Sequence, residues 1–197
     1  MTVAHPQTFY ADLSDDRLRV VAASLLDVRS RTFQLLDSDL DCNYVKESAA
    51  FGRCRNMLIG LAKSNTLGWM QLLHGGMDVT FTVGDVPCRF FRDDADSPEK
   101  HGFFRRNNVD DLFAEDDSHP VMWRFVVEKA LTEEDEDRVL FVGYNVYQEK
   151  VAEWQYRDSA PTLHSVDNVT PPSTLLPKVD VALLEDDQDA EKDGTTK

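Results

Sequence analysis

The chain has 197 residues, 42% of them hydrophobic, and a formal net charge of −15. That length and apolar content supply one sizeable core and exclude a chain disordered throughout. So acidic a surface repels nucleic acid at long range.

The charge is unevenly placed. Residues 1–45 hold four basic and seven acidic side chains, residues 46–106 nine basic and seven acidic, and residues 107–197 eight basic and twenty-two acidic. Any contact with nucleic acid must therefore use the middle third, and within it residues 89–106. No stretch approaches the roughly 20 apolar residues of a membrane-spanning helix. Residues 1–10 carry no basic cluster followed by an apolar run, so a cytoplasmic location without a membrane partner is expected. Cys42, Cys54 and Cys88 form no CxxC pair and each lies in or beside an apolar stretch. Three buried free thiols are the expectation.

In chain order, residues 14–36 have the spacing of an amphipathic helix. Leu18, Val21, Leu25, Val28, Thr32 and Leu35 make one stripe, with Arg17, Arg29 and Arg31 away from it. Ser14 is placed to cap the first turn, and Asp15 and Asp16 suit its positive end. After Asp37-Ser38-Asp39, residues 42–64 read as a second helix with Tyr44, Phe51, Cys54, Leu58 and Leu61 on its apolar face. So short a polar turn predicts an antiparallel helical hairpin over 14–64. Ser48, Ala49 and Gly52 are small enough for close approach of another helix, most simply the first one.

Leu67 to Leu73 is apolar and fits either a short helix or a strand. Met77 to Val83 then alternates strictly, as a half-buried strand does, and Gly84-Asp85 makes a turn into a second strand, Val86 to Arg92. Residues 93–119 are polar, with a short helix at 109–114 allowed by the pattern. Further strands are predicted at Val121 to Leu131, Arg138 to Tyr147 and Val151 to Tyr156, with the acidic run Glu133 to Asp137 as a turn. Short turns between neighbours favour antiparallel pairing. The predicted fold is α+β, with the helical hairpin packed on a roughly five-stranded antiparallel meander over 77–157. The single domain is expected to span 1–184, ending in an extended segment 158–184 that could add an edge strand at 179–184. Residues 185–197 read as a disordered acidic tail.

Two groups of residues could carry chemistry. Arg89-Phe90-Phe91-Arg92 and Lys100-His101-Gly102-Phe103-Phe104-Arg105-Arg106 place aromatic pairs among cations, a pattern that holds phosphate while bases stack. Arg89, Arg92, Lys100, Arg105 and Arg106 are the candidate nucleic-acid or phosphate-binding residues. The competing expectation is that these arginines pair with Asp93, Asp94, Asp96 and Glu99, since charge runs are usually solvated faces. Asp93, Asp94 and Asp96, with His101 and His119 downstream, could bind a hard divalent cation. Against that, the spacing of an EF-hand loop is absent. His74-Gly75-Gly76 has the glycines of an oxyanion hole but no GxSxG accompanies it. There is no HExxH, GxxxxGK[ST] or GxGxxG, so neither a catalytic residue, a cofactor nor a metal ligand is assigned.

These features lead to an expected non-catalytic protein-binding or regulatory role, as an acidic inhibitor or antitoxin-like partner of a basic, nucleic-acid-acting protein. The first alternative is a nucleic-acid or nucleotide binder using the arginine and phenylalanine patch. The second is a metal-dependent hydrolase.

Overall fold

The computed structural model describes residues 3–105, 118–130 and 137–157, within the compact unit Met1–Asp158. The predictions for 109–114, 158–184, 179–184 and 185–197, and Arg106, lie outside the described residues.

The fold is α+β: two long helices and a six-stranded mixed sheet. The first helix, α1 (Asp15–Leu35), and the second, α2 (Asn43–Ser64), pack against each other as a hairpin. The strands are β1 (Leu72–His74), β2 (Thr80–Val83), β3 (Val86–Arg92), β4 (Met122–Glu128), β5 (Arg138–Tyr144) and β6 (Lys150–Gln155). They lie side by side in sequence order. Every neighbouring pair is antiparallel except β3 and β4, which run parallel, Cys88 opposite Trp123 and Arg92 opposite Val127. Two antiparallel three-stranded units are therefore joined in the middle by a long crossover connection, as parallel neighbours require. The expected five-stranded all-antiparallel meander is corrected on both counts. The ambiguous apolar stretch resolves into a turn, with Met70 N donating to Leu67 O, followed by β1.

Both faces of the sheet are covered. Val86, Cys88 and Phe90 of β3, Trp123, Phe125 and Val127 of β4, and Val139 and Phe141 of β5 face the helices. They join Leu18, Val21, Leu25, Cys54 and Leu58 in one core. The opposite face, with Val126, Leu140, Val142 and Tyr144, is covered by Ala95 and Phe103 of the crossover. A strand buried on two sides loses its polar alternation, and five of the seven β4 residues are apolar.

On the helices the stripe differs from expectation at its charged and aromatic members. Arg29 is buried on the α1 core face, whereas Leu35 and Tyr44 are exposed. The buried line of α2 is Ala50, Cys54 and Leu58; Ser48 is exposed, and a Cβ on Gly52 would meet nothing. The small residues are thus not the contact surface for α1. Ser14 occupies the cap position without a side-chain cap bond.

Arg29 is buried because it is neutralised. Its guanidinium grips Glu47 of α2 through two 2.8 Å bonds and also bonds Asp137, which leads into β5. Arg92 of β3 completes the group, its Nε 2.7 Å from Glu47 Oε2. Planar two-point pairing of this kind is what makes a guanidinium tolerable in a core. Burial pushes the Glu47 carboxyl up, but the bond and charge of Arg29 outweigh it and hold the group below its usual 4.5. Replacing Glu47 by Gln leaves two cations under-neutralised and is expected to cost about 3 kcal/mol in chemical denaturation near neutral pH. A carboxyl with a depressed folded value stabilises fully above its unfolded value and loses that contribution as pH falls through the folded one. The difference in stability between wild type and Glu47→Gln should therefore narrow as pH is lowered below 4.5.

Candidate functional site

A cavity opens at one end of the sheet, beside the β2–β3 turn and the start of β4. It has a volume of about 330 Å³ and is bounded by residues 9–12, 85–87, 120, 121 and 123. Three chain segments far apart in sequence therefore build it.

Its aromatic side is a cluster of edge-to-face rings. Phe9 and Tyr10 meet the Trp123 indole at 6.2 and 6.1 Å and the His119 ring at 5.2 and 6.0 Å. Such contacts satisfy the ring quadrupoles and fix the rings in place. Trp123 also stacks on Phe141 of β5, at 5.2 Å and 9°. The benzo edge of the indole lies over Gly143, where a Cβ would come within 2.8 Å of it and 2.9 Å of Pro120. The indole Nε1 is buried and meets no acceptor on the protein. A buried donor left in this state costs about 1–3 kcal/mol.

The mouth is acidic. Asp12 packs directly on Gly84, which has φ +61° in the β2–β3 turn. Glycine is required here twice over, for the left-handed backbone and for the absent Cβ. Arg17 of α1 ion-pairs with Asp12 and lies over the Trp69 ring, 5.6 Å from its centre. Asp85, in the same turn, is exposed and makes no ion pair with any described residue.

The five candidate phosphate-binding residues are distributed differently from a single patch. Alternation along β3 puts Arg89 and Arg92 on opposite faces. Arg89 is buried under the crossover, bonded to Thr80 Oγ1 at 3.3 Å and to the carbonyl of Arg105 at 3.2 Å. Its register neighbour Arg124 bonds the carbonyls of Phe103, Trp123 and Arg105 at 3.0, 2.9 and 3.4 Å. Arg92 points to the helices and pairs with Glu47. The exposed side chain of Arg105 lies 4.0 Å from Asp78. Lys100 lines an open hollow of about 500 Å³ with Arg92, Asp93, Asp94, Glu99 and Glu128, among others.

The candidate carboxylates organise their own loop. Asp93 accepts backbone N–H bonds from Asp94, Glu99 and Lys100, and Asp94 from Asp96 and Ser97. Asp96 pairs with Lys150, which also bonds Glu153. Burial lowers the Lys150 value, but these two carboxylates outweigh it and raise it. Among the described residues no three His, Cys, Asp or Glu side chains converge as a metal would require. His74-Gly75-Gly76 presents carbonyls rather than amides, with Arg55 donating to the oxygens of Gly75 and Gly76.

Cys54 and Cys88 are buried, and Cys42 is exposed at the start of α2, which corrects the expectation of three buried thiols. Burial pushes the Cys54 thiol up to about 11, despite the nearby positive charge of Arg29. No family model, curated protein or solved structure matches the chain. No described helix is long and apolar enough to cross a membrane.

Two measurements check this local picture. Gly84→Ala forces a Cβ into Asp12 at a left-handed position and should cost about 2 kcal/mol or more in chemical denaturation. Titration of the native protein with a thiol reagent near pH 8 should modify Cys42 rapidly, with Cys54 and Cys88 reacting only on unfolding.

Proposed function

We propose that this chain is a non-catalytic binding protein that docks a basic protein partner on the tip of its helical hairpin. The observation that carries this is the exposure of Leu35, Leu40 and Tyr44, at 70, 88 and 79%, around the α1–α2 turn. Apolar side chains grouped so closely and left in water are a common mark of an interaction surface. The turn that presents them is ordered. Asp41 accepts bonds from Ser38 N at 3.0 Å and Ser38 Oγ at 2.6 Å, and its N–H returns one to Ser38 O at 2.9 Å. The Ser38 side-chain bond, followed by the backbone bond, lowers the Asp41 carboxyl.

Asp37, Asp39 and Asp41 surround this apolar group with negative charge. The partner that fits is apolar at the centre of its contact and cationic at its rim. A second copy of the same acidic tip fits poorly, because like charges would meet. Electrostatic complementarity of this type sets encounter rate and partner choice more than tightness. The pairing of Arg29 and Arg92 with Glu47 further supports the reading, since it neutralises two cations that would oppose a basic partner. A partner acting on nucleic acid has the required basic surface.

Affinity capture from the native host tests the proposal, with the wild-type chain and the Leu40→Ser/Tyr44→Ser variant as parallel baits. A basic protein held by the wild type, released by raised salt and missing from the variant is the expected outcome. Equal recovery on both baits, or retention indifferent to salt, defeats it.

A further inference from the structure

The geometry points to the cavity between Phe9–Asp12, the β2–β3 turn and Trp123 as a binding site for an organic cation, a guanidinium or ammonium group on an apolar stem. The walls and mouth select this class together. Phe9, Tyr10 and Trp123 supply aromatic surface, and Val86, Pro87, Pro120 and Val121 supply apolar surface around it. Among the described residues the charged side chains lining the space are Asp12 and Asp85. Aromatic faces and carboxylates both attract a cation, and they do so most strongly where water is displaced. An anionic ligand would meet repulsion from Asp85 and, among the described residues, no lining cation.

The two acids differ in what they offer. Asp12 is already held by Arg17. Asp85 is exposed and free of ion pairs among the described residues, so it carries the unneutralised charge at the entrance. The shared chemistry could come from a free small molecule or from a side chain of a protein. This site includes the segment just before the N-terminal end of α1, and α1 runs about 30 Å from there to the hairpin tip. It therefore stands or falls separately from the docking surface proposed above.

Isothermal titration calorimetry on the full-length chain provides the test, with N-acetyl-arginine amide as the free cation. N-acetyl-citrulline amide serves as its uncharged match in shape, and an acetyl-Gly-Arg-Gly-amide peptide as the protein-borne source. At least one arginine probe should bind saturably with one-to-one stoichiometry, and citrulline roughly tenfold or more weakly. Preference for the peptide assigns the source to a protein side chain; preference for the free amide assigns it to a small molecule. Asp85→Asn, an exposed change compatible with folding, should weaken the arginine probe by roughly tenfold. Asp16→Asn, an exposed acid of α1 outside the cavity, should leave it unchanged. Absence of saturable binding by both arginine probes, equal binding of citrulline, or full affinity in Asp85→Asn would overturn the assignment.

Discussion

The Arg29–Glu47–Arg92–Asp137 group is the constraint around which this molecule is arranged. It takes one residue from each helix, one from β3 and one from the approach to β5. Apolar packing is tolerant of sliding, because one leucine contact resembles another. A buried guanidinium is not tolerant, since any shift that separates it from its carboxylate leaves a charge without solvent or partner. The network therefore fixes the rotation of the hairpin relative to the sheet, with Phe51 stacked on Phe90 at 5.5 Å beside it. In the same way Arg89 and Arg124 hold the crossover on the opposite face through its carbonyls. The cations of the middle third serve as internal ties as much as surface charge.

That use of charge is also what limits inference from sequence. The helices and the β2–β3 hairpin were legible, because three- and four-residue spacing and strict alternation are local signals, although β2 begins at Thr80 rather than Met77 and is buried throughout rather than half-buried. Gly84-Asp85 as a turn was legible for the same reason. Arg29 was not: a polar residue is assigned to solvent unless its partners are known, and Glu47 and Asp137 lie 18 and 108 residues away. Nor was the parallel pairing of β3 with β4, since periodicity within a strand says nothing of the direction of its neighbour. The polar connection between them hid a crossover whose Ala95 and Phe103 are core residues.

The candidate cavity was less legible still. Phe9, Asp85 and Trp123 have no common motif, and nothing in their spacing joins them. The one local hint was Gly84, where a turn glycine also makes room for Asp12. The basic and aromatic stretch around 89–106 drew attention by composition alone. Period-two alternation already separates Arg89 from Arg92, so strand geometry rather than motif content was the better guide there.

One short strip of chain holds more than its length suggests. Ala4 bridges β6 in parallel, donating to Val151 O at 3.1 Å and accepting from Glu153 N at 3.0 Å. His5 bonds Asp15 at 2.9 Å, and after a single 3-10 turn, Pro6–Thr8, the chain delivers Phe9 to Asp12 to the cavity wall. This strip thereby covers part of the β6 edge and completes the recess. Peeling the strip away would uncover hydrogen-bonding groups of β6 and open the recess in one motion.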